Sequence, residues 1–376
     1  MDDSERHDRH AGSLAVDEIA PGVFVTTAEK FTTTSTIVAG PHGACLLADP
    51  AVTVADLAAL ADWLSARGLR PVTGWSTHPH WDHLLWSRAL GDGPRYATPR
   101  AVAVAAREEA GLISGLEEGA PGHDLALFAR VQPLLGHEVD WPGPRALVYA
   151  HDGHAPGHGA LFLSDSGVLI AGDMCSDIEI PLLDLESPDP FGAYREGLRL
   201  LASIPGVRAV IPGHGHVGDD AEFRRRVAAD LAYLDAVQAG GDIDDPRLSE
   251  DWLRTEHASF RARAQELRSP DLVAASGERA PLARPADPAP DRAVGVKATP
   301  TVRSRVRAAT GQVPAGSRTK TGISRSVRCW YSAYGGKAAT ARSHQAARSS
   351  PVSSRAVISS VSGPSCNTTC GFLRRL

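Results

Sequence analysis

The strongest constraint on this chain is a cluster of metal-ligand side chains at Thr77–His83, which reads T-H-P-H-W-D-H. The cluster follows a short apolar run that is typical of a strand. His78 and His80 are two residues apart, so in extended chain both rings point to the same side and can share one ion. Asp82 and His83 come where the chain turns, and they can bind a second ion. The motif therefore predicts the first half of a metal site.

Three later residues can complete such a site. His158, Asp173 and His214 each follow or adjoin a predicted strand, which suits ligands that converge at one edge of a sheet. Neutral imidazole and carboxylate groups are ligands that suit zinc, with bonds of about 2.0–2.2 Å. The sequence therefore predicts a zinc centre assembled from the motif and from distant strand ends.

The predicted elements alternate between strands and helices in two halves, which favours a layered α/β fold. Hydrophobic residues make up 43% of the chain and charged residues 22%, as in a globular protein. Strands are predicted at 14–27 (two strands with a turn), 32–40, 43–48, 71–77, 145–150, 160–164, 167–171 and 207–211. Helices are predicted at 54–67, 102–111, 125–135, 190–204, 219–239 and 249–268.

Charge divides the chain into an acidic part and a basic part. Residues 1–270 hold 22 Lys and Arg against 40 Asp and Glu, a charge of -18, whereas residues 271–376 hold 17 against 4, a charge of +13. Only 17 of those last 106 residues are Leu, Ile, Val or Phe, too few to bury a core. We predict a polar leader at 1–13, a folded domain at 14–268 with a helical insertion at about 99–135, and a disordered basic tail at 269–376.

The ligand pattern resembles the metallo-β-lactamase superfamily. The resemblance runs from about Leu14 to Val217 and consists of a strand that ends in Asp, an H-x-H-x-D-H motif, and three single ligands at later strand ends. It implies a four-layer αβ/βα sandwich. It also implies the site residues: His78, His80 and His158 for one metal, Asp82, His83 and His214 for the other, and Asp173 as a bridge.

Three residues near this set are given supporting or neutral roles. Asp49 would orient a ligand histidine, although a residue before Pro50 can also simply end a strand. His216, two residues after a ligand, is a candidate for a supporting or substrate contact. His154, the first histidine of the H-A-P-G-H stretch, is expected to be a loop residue outside the site.

The resemblance implies hydrolysis of a small-molecule substrate. Two zinc ions that share a bridging water lower the pKa of that water toward about 7, so a hydroxide can attack a carbonyl group while Asp82 orients it. Within the family, an Asp at the bridging position is found in hydroxyacylglutathione hydrolases, lactonases and nucleases but not in true β-lactamases. Asp173 therefore predicts a small ester, thioester or lactone as the substrate.

Several alternatives stay open at this point. One is a persulfide-dioxygenase-like oxygenase with a single Fe²⁺ held by two His and one Asp. Others are a nucleic-acid-binding protein or nuclease that uses the basic tail, and a protein that keeps the ligands but has lost catalysis. The acidic domain argues against a phosphate-backbone substrate. The tail itself is either a genuine arm or the product of a frameshift near Ser269.

Composition gives weaker expectations about the setting. No apolar run approaches the roughly 18 residues that a membrane span needs, and the acidic start does not resemble a signal peptide. The five cysteines form no disulfide framework, which favours a reducing, cytoplasmic location. The substrate, the metal used in the cell and the oligomeric state are left open.

Overall fold

The computed structural model describes residues 14–269, and the strands of this part form two sheets. The first sheet has seven strands in chain order: β1 Asp17–Ala20, β2 Val23–Thr27, β3 Thr34–Ala39, β4 Ala44–Ala48, β5 Arg70–Trp75, β6 Arg95–Ala97 and β7 Gln132–Pro133. The second has five, in the spatial order β12 Gly218–Asp219, β11 Ala209–Pro212, β10 Val168–Gly172, β9 His158–Leu163 and β8 Ala146–His151. The helices are α1 Val54–Ala66, α2 Pro99–Arg107, α3 Glu109–Gly119, α4 Pro190–Ala202, α5 Asp220–Ala239 and α6 Asp251–Arg268.

The central strands are buried on both faces, and alternate residues belong to different cores. Leu46 of β4 packs with Leu161 of β9 and Ile170 of β10 in an apolar cluster built from residues of both sheets. Their chain neighbours Leu47 and Phe162 lie in a second cluster that includes the helices. Because successive side chains of a strand point to opposite faces, this division places the sheets against each other and the helices outside. The expected four-layer α/β sandwich is confirmed.

Strand direction sets where ligands can gather. β4 runs parallel to β5, and β10 runs parallel to β11, so each pair brings two carboxyl ends to one sheet edge. The two sheets meet at this edge, where Thr34 at the start of β3 donates its backbone N–H to Gly213 O (2.8 Å). Its hydroxyl also donates to Pro212 O (2.6 Å). The segments after these four strands therefore face one another.

The predicted helix at 125–135 is wrong. This stretch consists of turns and the short strand β7, because several of its backbone groups bond to the rest of the molecule. Arg95 donates to Leu127 O (2.6 Å), and Ala129, which has a left-handed φ of 54°, donates to Leu84 O (3.0 Å). The helical residues of this region lie earlier, in α2 and α3, with the break at Glu108.

The leader at 1–13 and the tail from residue 270 onward lie outside the described residues, so the predictions made for them stay predictions. The same holds for Cys329, Cys366 and Cys370. From Leu14 to Ser269, none of the helices combines the length and the apolar character that crossing a bilayer requires.

Candidate metal centre

Six of the seven ligands predicted from the sequence come together at the edge where the two sheets meet. The segment after β5 contributes the H-x-H-x-D-H motif, the segment after β10 contributes Asp173, and the segment after β11 contributes His214. Except for the partly exposed His80, these side chains are almost completely buried. Two groups of possible metal ligands result, and they consist of His78, His80, His154 and Asp173 in one group and Asp82, His83 and His214 in the other.

In the first group, three imidazole nitrogens converge on one point. The Nδ1 atom of His80 lies 3.0 Å from Nε2 of His78 and 3.0 Å from Nε2 of His154. Oδ2 of Asp173 lies 3.4 Å from each of those two Nε2 atoms. Ring nitrogens at this spacing can share either a proton or a metal ion, and the Asp173 carboxylate beside them favours a positive charge. The arrangement therefore suits a cation.

In the second group, the Nε2 atom of His214 lies 3.2 Å from Oδ2 of Asp82 and 3.5 Å from Nε2 of His83. Asp173 also reaches this group. Its Oδ1 lies 3.2 Å from Nε2 of His83, and its Oδ2 lies 3.4 Å from Nε2 of His214. Asp173 is therefore the side chain that faces both groups.

His154 and His158 have the opposite placement from the one expected. His154 lies in the loop between β8 and β9 with its side chain buried, and its Nδ1 lies 2.9 Å from Leu182 O. Donation to that carbonyl leaves the lone pair on Nε2, the atom that faces the first group. His158, the first residue of β9, belongs to neither group.

The ring of His158 is packed between two other imidazoles. It stacks on His78 at 5.1 Å between centroids and on His151 at 4.5 Å. Neither of its ring nitrogens has a hydrogen-bond partner within residues 14–269. The strand fixes this direction, because a residue inside the β8–β9 ladder points its side chain according to the pleat and not toward the loop.

Asp49 supports the start of the motif. Its Oδ1 accepts the backbone N–H of Thr77 (2.9 Å), and its Oδ2 accepts the hydroxyl of Thr77 (2.7 Å). Oδ2 also lies 3.1 Å from Nδ1 of His83. Asp49 has a left-handed φ of 47°, a conformation that few residues other than glycine adopt. The strand end thus aims this carboxylate at the motif and at a histidine of the second group.

His214 is oriented by a segment that sequence reasoning missed. Nδ1 of His214 lies 3.0 Å from Phe31 O and 3.3 Å from the hydroxyl of Thr33. Phe31 and Thr32 both have left-handed backbone conformations, with φ of 60° and 51°. This unusual turn directs the Phe31 carbonyl toward the imidazole. No sequence signal distinguishes it, since Phe and Thr rarely adopt such angles.

Burial and charge set the protonation of the two groups in opposite directions. In the first group, burial holds the pKa of His78 and of His80 well below the usual value, so both rings stay neutral at pH 7. In the second group, burial alone would lower the pKa of His83, but the carboxylates of Asp173 and Asp82 outweigh it and hold that pKa well above its usual value. Metal binding to this group would therefore be accompanied by release of a proton.

Asp173 itself stays ionised. Burial would raise its pKa, but the neighbouring imidazoles of His214 and His83 outweigh burial and hold that pKa well below the usual range. An ionised carboxylate that faces both groups is the donor that a shared cation site needs.

A second, independent observation indicates that these side chains suit metal ions. Both carboxylate oxygens of Asp82 and both of Asp173 are buried, and no hydrogen bond within the described part of the chain reaches any of them. Buried carboxylates that accept no hydrogen bond are costly, and a coordinated cation lowers that cost. Gly213 leaves the room they need, because a Cβ there would lie 2.0 Å from Oδ1 of Asp173.

His216 does not join either group. Its ring is 67% exposed, and its Nδ1 lies 2.8 Å from Oδ2 of Asp177. Trp81 is fully buried between the ligand positions of the motif, with its ring close to Gly119 at the end of α3. The ring of Trp81 thus brings the helical region into contact with the motif.

Comparisons with known proteins agree with this geometry. Residues 29–217, half of the chain, match the model of the metallo-beta-lactamase superfamily. A hydroxyacylglutathione hydrolase from Ruegeria pomeroyi is 28% identical over 196 residues, which are 52% of this chain and 68% of that protein.

Two solved structures are also similar. The sec-alkylsulfatase Pisa1 from Pseudomonas sp. is 16% identical with a TM-score of 0.53, over 71% of this chain and 52% of Pisa1, which shows a shared fold alone. A metallo-beta-lactamase family protein from Thermus thermophilus is 24% identical with a TM-score of 0.47, over 59% of this chain and 82% of that one. On the family match and the ligand geometry, the chain belongs to the metallo-beta-lactamase superfamily.

Proposed function

We propose that this chain is a hydrolase that uses two zinc ions to cleave a small ester, thioester or lactone. The observation that carries the proposal is the pair of ligand groups that share the carboxylate of Asp173. Family membership and these groups support a metal-dependent hydrolase. The bond type is supported by the relative in Ruegeria pomeroyi, which is named for hydrolysis of hydroxyacylglutathione.

The ligands divide between two ions. The first ion would be held by His78, His80, His154 and Asp173, and the second by Asp82, His83, His214 and Asp173. His154 thereby takes the role that the sequence analysis gave to His158. Two bound zinc ions supply Lewis acidity, which lowers the pKa of water toward about 7 and polarises a carbonyl oxygen.

The side chain of Asp82 is placed to handle the proton of the attacking water. Oδ2 of Asp82 lies 3.2 Å from Nε2 of His214, which suits a ligand oxygen. Oδ1 has no hydrogen-bond partner in the described part of the chain, so it would be free to accept a hydrogen bond and a proton from a water molecule bound there. Asp173, whose two oxygens face both groups, would set the distance between the two ions.

Charge favours a small substrate over a nucleic acid. Residues 1–270 carry a charge of -18, which repels a phosphate backbone. The helical region at α2 and α3 reaches the motif where Gly119 contacts Trp81. We infer that this region contributes to the choice of substrate, because an element in contact with the ligand segment can cover the site.

The test is metal analysis of the purified protein, followed by a panel of thioester, lactone, aryl ester and phosphodiester substrates. We expect about two zinc ions per chain and turnover of the thioester or lactone. One iron ion and no zinc would replace this proposal with the mononuclear iron oxygenase. Two zinc ions with turnover of the phosphodiester alone would retain the metal centre but overturn the proposed substrate class.

A further inference from the structure

A buried arginine of α5 joins the two segments that carry Asp173 and His214. Nη1 of Arg226 donates to His216 O (2.8 Å) and to Cys175 O (3.3 Å). Only 3% of the Arg226 side chain is exposed. One guanidinium group therefore connects the backbones of two segments that are distant in sequence.

Each connected carbonyl lies two residues beyond a residue of the metal centre. Cys175 follows Asp173 in the segment after β10, and His216 follows His214 in the segment after β11. The position of Arg226 therefore bears directly on the distance between Asp173 and His214.

Further hydrogen bonds join the same two segments. The hydroxyl of Ser176 donates to His214 O (2.7 Å), and Oδ1 of Asp177 accepts the backbone N–H of His216 (2.8 Å). Arg226 adds the contact that comes from outside both segments. Its Nε donates to Oε1 of Glu222 (2.9 Å), one helical turn earlier, which fixes the direction of the guanidinium plane.

We propose that Arg226 is a positioning residue of the metal centre: its guanidinium group holds the Asp173 and His214 segments at the separation that the second ion requires. The proposal rests on the proposed function, because it assigns these two side chains to a shared ion site. Hydrogen bonds from a charged donor are stronger than those from a neutral donor. Removing the guanidinium would break the hydrogen bonds to both carbonyl groups and weaken the connection between the two segments.

Arg226 lies outside the region that the family model matches, which ends at residue 217. The positioning role is therefore a property of the helices that follow the matched region in this chain. It gives α5 a function in the centre although no α5 side chain is a ligand.

A second buried arginine offers a comparison. Arg247 donates to Glu179 O (2.9 Å) and to Oδ1 of Asp230 (2.6 Å), and its Nη1 also lies 3.4 Å from Ser176 O. It thus supports the segment after β10, whereas Arg226 donates to carbonyls of both segments. Loss of Arg247 removes similar buried bonds without separating the two ligand segments from each other.

The experiment measures hydrogen exchange in the metal-free protein and zinc affinity by competition with a chromophoric chelator. In Arg226→Gln we expect faster exchange in residues 173–179 and 213–217, and zinc affinity reduced by about 10-fold to 100-fold, as for the loss of other residues that orient ligands. Arg226→Lys should recover part of the affinity because it keeps one charged donor. Arg225→Gln is the matched control, since Arg225 contacts the same Glu222 but is 61% exposed.

The comparison variant separates positioning from general stability. Arg247→Gln should lower the melting temperature at least as much as Arg226→Gln, but with a change in zinc affinity of less than about threefold. Equal zinc affinity in Arg226→Gln and in the unchanged protein would overturn the proposal. So would equal losses of affinity in the two arginine variants.

Two further outcomes keep the proposals distinguishable. If Arg226→Gln does not fold, Glu222→Gln decides in its place, and unchanged zinc affinity there overturns the positioning role. If the unchanged protein binds no zinc, the proposed function fails. Hydrogen exchange of the metal-free variants then still shows whether Arg226 joins the two segments.

Discussion

The Nε2 atom of His154 lies 3.0 Å from Nδ1 of His80, whereas His158, four residues later, stacks on His78 and His151 and belongs to neither ligand group. One short loop therefore presents one histidine to the candidate centre and turns the other into the protein. The difference follows from position: His154 lies in the loop, and His158 is already part of β9.

The same substitution at both positions tests this difference. His154→Ala should weaken zinc binding by about 100-fold or more, because it removes a ligand and not only a supporting contact. His158→Ala should keep zinc binding but lower the free energy of unfolding by about 2–4 kcal/mol, because it leaves a cavity in a stack of rings. Zinc titration and urea denaturation of both variants are the measurements. The reverse pattern would restore His158 as the ligand.

Asp173→Asn should affect both ions together, because the carboxylate faces both groups of ligands. The amide keeps the shape of the side chain but has one oxygen and no charge, so it cannot serve two cations. We expect fewer than one zinc ion per chain after dialysis and a loss of hydrolytic activity of at least about 1000-fold. Asp165→Asn, in the exposed turn between β9 and β10, is the control. Retention of two zinc ions by Asp173→Asn would contradict the shared role.

Gly119→Ala should disturb the centre from a distance. A Cβ at this position would lie 2.4 Å from Cζ2 of the Trp81 ring, so the ring must move. Trp81 lies between two ligand residues of the motif, and overpacking of this kind costs about 1–3 kcal/mol. Melting temperature and zinc affinity should both fall.

The control for that change is Gly136→Ala, where a Cβ would meet nothing closer than 3.9 Å. Wild-type zinc affinity in Gly119→Ala, together with a lower melting temperature, would contradict this prediction. It would show that the Trp81 ring moves without displacing the ligand residues on either side of it.

Acid should destabilise the metal-free protein through His151. Burial lowers the pKa of His151 to about 4, whereas an unfolded histidine titrates near 6.5. Between these two values the unfolded chain binds more protons than the folded one, so the free energy of unfolding falls as the pH falls from about 6.5 to about 4. The loss amounts to about 3 kcal/mol for this one group.

Urea denaturation from pH 4 to pH 8 in a chelator measures this loss. His151→Asn should lose about 3 kcal/mol less than the unchanged protein over that range. His42→Asn, on the exposed turn before β4, is the control. Parallel pH profiles for His151→Asn and the unchanged protein would count against the assignment.

Much of the fold could be predicted because the chain encodes it locally. Continuous apolar runs mark the central strands, and the capping box of Thr53 and Asp56 marks the start of α1. The motif ligands could also be predicted, since their spacing alone brings them to one place. The helix wrongly predicted at 125–135 shows the limit, because tertiary bonds to Leu127 and Ala129 override its helix-forming composition.

The choice between His154 and His158 could not be made from spacing. Both histidines flank the same Ala-Pro-Gly turn, and either could reach a strand edge. The deciding contact is the carbonyl of Leu182, which is 28 residues away in sequence and orients the ring of His154. The roles of Phe31 and Arg226 depend in the same way on contacts between distant segments.

The ligands come from both sheets, since the motif follows β5 whereas Asp173 and His214 follow strands of the second sheet. Bound metal would therefore act as a crosslink between the two halves of the fold. Because a ligand that binds only the native state stabilises it by mass action, the resistance of the chain to unfolding and proteolysis would rise with the free metal concentration. Metal starvation would then shorten the lifetime of the protein as well as stop its chemistry.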